Sequence, residues 1–99
     1  MTELVDGKLN INCFKGSDGK IYSGRVYAKV NTGWEYGYFE ARIMLPEGKG
    51  TWPAFWMMPV GNDWNTNPWP MCGEIDIMEA INDENLVYGT LHWFNDPGN

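Results

Sequence analysis

Residues 72–80 have the sequence C-G-E-I-D-I-M-E-A, in which three acids lie among apolar residues. Its apolar, β-branched content predicts a buried strand. Because side chains alternate between the two faces of a strand, regular alternation would place Glu74 and Asp76 on one face and Glu79 on the other. A β-bulge adds one residue and returns all three acids to a common face, and Met78 is the expected bulge residue. The stretch therefore predicts three carboxylates on one face of a sheet.

The spacing of the two outer acids suits the hydrolysis of a glycosidic bond. With the bulge, Glu74 and Glu79 lie about 13 Å apart along the backbone, at roughly 3.3 Å per strand step. Side chains that lean toward each other would close the carboxyl separation to about 5–5.5 Å, as in retaining glycosidases, whereas about 6.5–9.5 Å would suit inverting ones. Asp76 between them would separate the pKa values of the group. A calcium site or a solvated acidic strand explains the spacing equally well.

The charge of the chain limits its partners. The net charge is −6, and residues 51–99 contain seven acids and no Lys or Arg. Nucleic acids and anionic membranes are therefore poor partners, and a neutral polysaccharide fits better. No apolar run approaches the roughly 18 residues of a membrane span. No secretory signal peptide follows Met1, which suits a cytoplasmic protein or one whose signal has been removed.

The remaining sequence predicts one small all-β domain of strands and turns, without a helix. Residues 37–45 alternate most clearly, with Phe39, Ala41, Ile43 and Leu45 on one face. Further strands are predicted over residues 9–13, 21–30, 52–58 and 86–94, and the third of these is apolar enough to be buried on both faces. Turns are predicted at residues 6–7, 15–20, 46–50 and 82–85, and loops at residues 60–71 and 96–99.

The two cysteines, Cys13 and Cys72, match no metal-ligand spacing. Each falls on an apolar strand pattern. We therefore expect buried free thiols in preference to a disulfide between them.

The last two predicted strands form a hairpin. If Glu79 pairs with Tyr88, the bulge brings Glu74 opposite His92, the only histidine of the chain. His92 would then share the face of the acids with Thr90, and would either support catalysis through a hydrogen bond or serve the structure alone. The candidates for stacking on sugar rings, each with core packing as the equal alternative, are Trp52, Trp56, Trp69 and Trp93.

Residues 69–79, W-P-M-C-G-E-I-D-I-M-E, resemble the signature of family 16 glycoside hydrolases, in particular the laminarinase-like endo-β-glucanases. Stretches that agree with this family lie at residues 36–43, 45–50, 52–59 and 88–92, so the resemblance extends over about residues 6–93. The acidic pattern alone is a weak signal, but with these flanks in this order it is strong. The extra Met78 resembles the bulged subgroup and not the lichenase subgroup, which lacks it.

The resemblance implies a concanavalin-like β-jelly-roll sandwich with a sugar-binding groove across its concave face. It implies that Glu74 is the nucleophile and Glu79 the general acid/base, with Asp76 assisting. It further implies retaining endo-hydrolysis of a β-glucan, with β-1,3-glucan of the laminarin type as the first choice. No cofactor would be required, and the enzyme would be secreted or periplasmic.

The chain is shorter than the family domain, which is a single sandwich of roughly 200–250 residues. The resemblance therefore implies that residues 1–99 are an internal part of the catalytic domain. The remaining parts would supply further strands, part of the groove and often a structural calcium site. We expect exposed apolar edges and faces, which favour self-association or a complementary chain. A non-catalytic carbohydrate-binding jelly roll, or an inactive fragment, is the alternative.

Overall fold

The structure, a computed structural model, describes residues 2–29, 32–83 and 85–95. These residues form strands and loops and contain no helix, hence no helix that could cross a membrane. The predicted all-β class is confirmed. The strands are β1 (Thr2–Val5), β2 (Lys8–Ile11), β3 (Phe14–Lys15), β4 (Ile21–Tyr22), β5 (Ala54–Met57), β6 (Glu74–Glu79) and β7 (Tyr88–His92).

A three-stranded antiparallel sheet, in the order β5-β6-β7, holds the acidic stretch in its central strand. The predicted hairpin of the last two strands is present, with Glu74 opposite His92 and Glu79 opposite Tyr88. Past the ends of β5 and β6, backbone hydrogen bonds extend their pairing. The Ala80 N–H donates to the Pro53 carbonyl at 3.1 Å, and the Asn82 N–H donates to the Thr51 carbonyl at 2.9 Å.

The predicted bulge lies in β6. Asp76 is opposite Thr90 and Glu79 is opposite Tyr88, so that Ile77 and Met78 together face one residue of β7. Toward β5, Met78 is opposite Phe55 and Asp76 is opposite Trp56, so that Ile77 is the residue that the register omits. The bulge is confirmed and spreads over Ile77 and Met78, where the sequence indicated Met78 alone.

Two separate hairpins form the N-terminal part of the chain. β1 and β2 are joined at Asp6 and Gly7, whose φ values of 49° and 72° belong to the left-handed region that a two-residue hairpin turn of type I′ requires. β3 and β4 are joined by residues 16–20, closed by the Gly16 N–H donating to the Lys20 carbonyl at 2.8 Å. Both predicted turns are confirmed.

The prediction of a strand over residues 37–45 is wrong. A strand exists only where another strand satisfies its backbone groups, and no described segment forms a ladder with these residues. For the same reason the strand predicted over residues 21–30 ends at Tyr22. The last residue of that predicted strand, Val30, and the predicted loop at residues 96–99 lie outside the described residues. The strands predicted over residues 9–13, 52–58 and 86–94 are shorter than expected, as β2, β5 and β7.

The core is thin. Among the described residues only Asp76 and Ala80 are buried. Residues 52–58 are not buried on both faces as predicted, because no described layer covers the face that carries Trp52, which is 65% exposed. Leu9, Ile11 and Cys13 are exposed as well, since no described second layer covers β2.

The face of the sheet opposite the acids borders an apolar groove of about 350 Å³. Its lining brings residues of the 39–45 segment against β5 and β6, and consists of Phe39, Glu40, Ala41, Ile43, Leu45, Phe55, Ile77 and Met78. The apolar face predicted for residues 37–45 is therefore directed at the sheet, although these residues form no strand.

Cys72 is half-buried, and both cysteines are free thiols.

Candidate active site

The three acids lie on one face of the sheet. Residues directly opposite each other on neighbouring strands point to the same face. Trp56 is opposite Asp76 and Ala54 is opposite Glu79. Ala54 and Trp56 are two residues apart on a regular strand and therefore point to the same face. Their partners, Glu79 and Asp76, point to that face as well. Glu74 precedes Asp76 by two residues and joins them, which confirms the predicted common face.

Glu74 is held by Trp69. The Nε1–H of Trp69 donates to Oε2 of Glu74 at 2.6 Å. The loop that carries Trp69 leads into β6 through two turns. In these turns the Cys72 N–H donates to the Pro68 carbonyl and the Gly73 N–H donates to the Pro70 carbonyl. Gly73 has a φ of 81°, a left-handed conformation that glycine adopts without a steric penalty, immediately before β6 begins.

The buried Asp76 and the half-buried His92 form the centre of the site. The His92 Nε2 lies 2.8 Å from Oδ2 of Asp76, and Asp76 is only 4% exposed. A buried carboxylate requires a hydrogen-bond partner, and the imidazole meets that need. The His92 ring also lies 5.6 Å from the ring of Trp69, between centroids. The structure thus places His92 among the acids, as the hairpin register predicted.

Glu79 is held by Trp52. The Nε1–H of Trp52 donates to Oε1 of Glu79 at 2.8 Å. Trp52 and Trp69 were predicted to stack on sugars, and their role as hydrogen-bond donors to the two glutamates was missed. One signal was available: an indole N–H is a donor only, so a tryptophan beside carboxylates tends to bond to one.

The pKa of Glu74 is raised above its ordinary value. The largest cause is partial burial, which disfavours the charged carboxylate, and the hydrogen bond and negative charge of Asp76 act in the same direction. The hydrogen bond from Trp69 and the charge of His92 oppose this shift. Asp76 therefore raises the pKa of one glutamate of the pair, in the direction expected for the central acid.

Within the described part of the chain, the other two tryptophans predicted to stack on sugars, Trp56 and Trp93, make no hydrogen bond to the glutamates. Trp56 is half-buried on the face of the acids, and the guanidinium carbon of Arg25 lies 5.7 Å from the centre of its ring. This cation–π contact takes up part of the ring surface that a sugar would need. Trp93 is 66% exposed, and within the described residues no interaction connects it to an acid. Alternation along the strand predicted over residues 21–30 does not predict this contact.

One group of side chains has the proximity of a metal site. Glu74, Asp76 and His92 each offer a ligand atom, and these atoms lie within 4.8 Å of one another. Calcium prefers six to eight oxygen ligands, and an imidazole nitrogen does not suit it. The imidazole in this group therefore argues against a calcium site as the explanation of the acidic spacing. The calcium site expected elsewhere in a full domain stays a prediction.

Comparison with known proteins gives consistent matches. The model of the XgeA-like, catalytic GH16 domain matches residues 22–96. A "Beta-glucanase" of Rhodothermus marinus is 44% identical over 76% of the chain and 27% of its own length. A "Glucan endo-1,3-beta-glucosidase" of Cryptopygus antarcticus is 40% identical over 95% of the chain and 36% of its own length.

A "Beta-1,3-glucan-binding protein" of Penaeus monodon is 38% identical over 74% of the chain and 21% of its own length. The chain thus spans about a third or less of each of these relatives. No solved structure matches it. Because the family model covers most of the chain, the protein is a member of glycoside hydrolase family 16.

Proposed function

We propose that the chain carries the catalytic acids of a retaining endo-β-glucanase that cleaves internal β-1,3 linkages. The observation that carries this proposal is the common face of Glu74, Asp76 and Glu79, which exists only because of the bulge at residues 77–78. The relatives from Rhodothermus marinus and Cryptopygus antarcticus support a glucan as the substrate through their names. The carboxyl separation of a retaining enzyme, about 5–5.5 Å, is part of the proposal.

In the first step, the ionised Glu74 attacks the anomeric carbon and the bond to the leaving oxygen breaks. Glu79 gives its proton to that oxygen, and a covalent glycosyl-enzyme remains. In the second step, Glu79 takes a proton from water while the water oxygen attacks the same carbon. Glu74 leaves as a carboxylate, and the two displacements together retain the configuration.

Asp76 and His92 prepare Glu74 for attack. The charge of Asp76 opposes ionisation of Glu74, and this repulsion ends when Glu74 becomes an ester. Asp76 therefore destabilises the reactant more than the glycosyl-enzyme. His92 holds Asp76 in place through the 2.8 Å contact. Trp69 donates to Glu74 and keeps part of the ionised population available.

The proposal extends to the domain around this site. We place residues 1–99 as an internal part of a jelly-roll catalytic domain, with Trp52 and Trp69 along the sugar groove and Trp56 and Trp93 as further contacts. The partner is a β-glucan polysaccharide, no cofactor is required, and the location is secreted or periplasmic. A neutral glucan suits a face with three acids better than an anionic polymer does.

Reducing ends released from laminarin test the function. We expect the wild-type chain to release them and Glu74→Ala to lose at least about a thousandfold in rate, since it lacks the nucleophile. Glu40→Ala is the matched control, because Glu40 is an exposed acid bonded to Tyr38. NMR of the first products should show the β-anomer. An initial α-anomer, or equal rates for wild type and Glu74→Ala, would contradict the proposal.

Binding of β-1,3-glucan without turnover is the second candidate function. The similarity to the Penaeus monodon protein, whose name states glucan binding, favours it. Retention of the chain on insoluble β-1,3-glucan, with no reducing ends released by the wild type, would support this alternative and count against the enzyme.

A further inference from the structure

The turn after β6 is bonded to the backbone that precedes Trp52. The Gly50 N–H donates to Oδ1 of Asn82 at 2.7 Å, and the Asn82 N–H donates to the Thr51 carbonyl at 2.9 Å. The Gly48 N–H donates to Oδ1 of Asp83. We call this set, Asn82 and Asp83 with the backbone of residues 48–51, the turn clamp. It joins two segments that are about thirty residues apart in sequence.

Trp52 is the first residue after the turn clamp, and its position depends on the backbone. Trp52 is 65% exposed, so packing gives the indole little support. The indole N–H donates a hydrogen bond to Glu79. On the other side of Trp52, the Pro53 carbonyl accepts from the Ala80 N–H. A shift of Thr51 would therefore move the indole N–H away from the carboxylate of Glu79.

Asn82 combines two properties that the clamp needs. Its φ of 56° lies in the left-handed region, where asparagine is tolerated better than most residues. Its side chain also supplies the acceptor for Gly50. Glycine would keep the backbone conformation but lose the acceptor. Aspartate would keep an acceptor oxygen and tolerate the conformation.

We propose that Asn82 is a positioning residue for Glu79 and acts through Gly50, Thr51 and Trp52. Its side chain fixes the backbone from which the indole reaches the carboxylate, and the indole in turn orients Glu79. The inference rests on the proposed function in so far as Glu79 is the general acid/base. The second bond of the clamp, from Gly48 to Asp83, restrains the same loop.

The decisive measurement is the hydrogen exchange of the Trp52 indole N–H, followed by NMR and assigned with Trp52→Phe. We expect Asn82→Gly to exchange this proton about fivefold faster, because the hydrogen bond to Glu79 is weakened. Asn82→Asp should restore the wild-type rate. Asp6→Gly is the matched control, since Asp6 also has a positive φ, of 49°, in the β1–β2 turn.

Turnover provides a second readout. In Asn82→Gly we expect kcat on laminarin to fall about tenfold with KM little changed, since orientation of the acid is lost while the sugar contacts remain. Asn82→Asp should recover kcat. An unchanged Trp69 indole signal shows that the sheet is folded. A wild-type chain without hydrolysis would overturn the proposed function, while indole exchange still decides the positioning of Trp52. Equal exchange in wild type and Asn82→Gly overturns this inference.

Discussion

Each outer glutamate of the site is bonded to one indole, Glu74 to Trp69 and Glu79 to Trp52. An indole N–H can only donate, and the hydrogen bond from Trp69 lowers the pKa of Glu74. The same tryptophans are 53% and 65% exposed, and surface remains for contact with a sugar. One residue type therefore serves two purposes at this site, orientation of a carboxylate and an aromatic surface beside it.

The Trp69→Phe variant tests the bond to Glu74. Because this hydrogen bond lowers the pKa of Glu74, its loss should raise that pKa further. Glu74 must be ionised to attack, so the acid limb of kcat/KM against pH should move to higher pH. Trp64→Phe is the control, since Trp64 is an exposed tryptophan of the same loop. An acid limb that stays in place in Trp69→Phe would contradict the assignment.

The Asp76→Asn variant should shift the same limb in the opposite direction. Asp76 raises the pKa of Glu74 through its hydrogen bond and its charge, and asparagine removes the charge while keeping an oxygen for His92. The pKa of Glu74 should fall, and the acid limb should move to lower pH. Shifts of equal sign in Asp76→Asn and Trp69→Phe would show that the limb does not report Glu74.

The sequence predicted the acids, their common face and the position of His92, because these follow from alternation and register within one hairpin. It did not predict the two indole bonds. The path of Trp69 depends on turns at residues 68–73, and that of Trp52 on hydrogen bonds to a turn about thirty residues away. Periodicity contains no information on either, since both are set by loop geometry.

At the level of the strand, β6 carries one residue more than regular alternation allows. Ile77 is the residue that the β5 register omits, and Ile77 with Met78 faces Gly89. The positions on both sides of the bulge keep the registers that bring the acids to one face. The insertion is thus compensated within the bulge.

Deletion of Met78 tests this compensation. The shortened stretch, E-I-D-I-E, places all three acids on one face by plain alternation, and Ile77 can then pair regularly. We expect the variant to keep activity on laminarin within about tenfold of wild type, since the strand only straightens. Deletion of both Ile77 and Met78 is the contrasting variant. It makes Asp76 and Glu79 adjacent, so that alternation directs Glu79 to the opposite face and the Trp52 bond is lost. Full activity of this variant would contradict the register.

The strand expected over residues 37–45 shows that alternation within one segment does not determine whether a strand forms. Its alternation was strong, and Phe39, Ile43 and Leu45 do line the groove against the sheet. However, strand formation also needs a neighbouring backbone, which the described residues do not provide. Alternation predicts which face is apolar, whereas a ladder is a property of two segments.

As a whole, the molecule is more extended than a closed domain of its length. Its radius of gyration is 16.2 Å, with extents of 48 × 30 × 30 Å, whereas about 13 Å is expected for a compact chain of roughly 100 residues. Many large apolar side chains are exposed, Leu4, Tyr36 and Met44 among them. The exposed apolar faces predicted from the comparison of lengths are therefore present.

Such surfaces should cause self-association of the 99-residue chain. Sedimentation velocity at increasing concentration should give species larger than the 11.3 kDa monomer. Ile43→Lys, on the groove, should reduce this association by introducing a charge into the apolar contact. Met44→Lys is the adjacent control, because Met44 is 97% exposed and does not line the groove. A monomer at every concentration would refute the expectation.

The sequential strand order of the β5-β6-β7 sheet has a consequence for folding. Every residue proposed to take part in catalysis lies in strands β6 and β7 or the turn that joins them, and the indoles come from the segments just before β5 and β6. Contacts between neighbours in sequence close early, because their loops cost little entropy. We therefore expect the acid face to assemble at an early stage of folding, ahead of any long-range pairing in the domain.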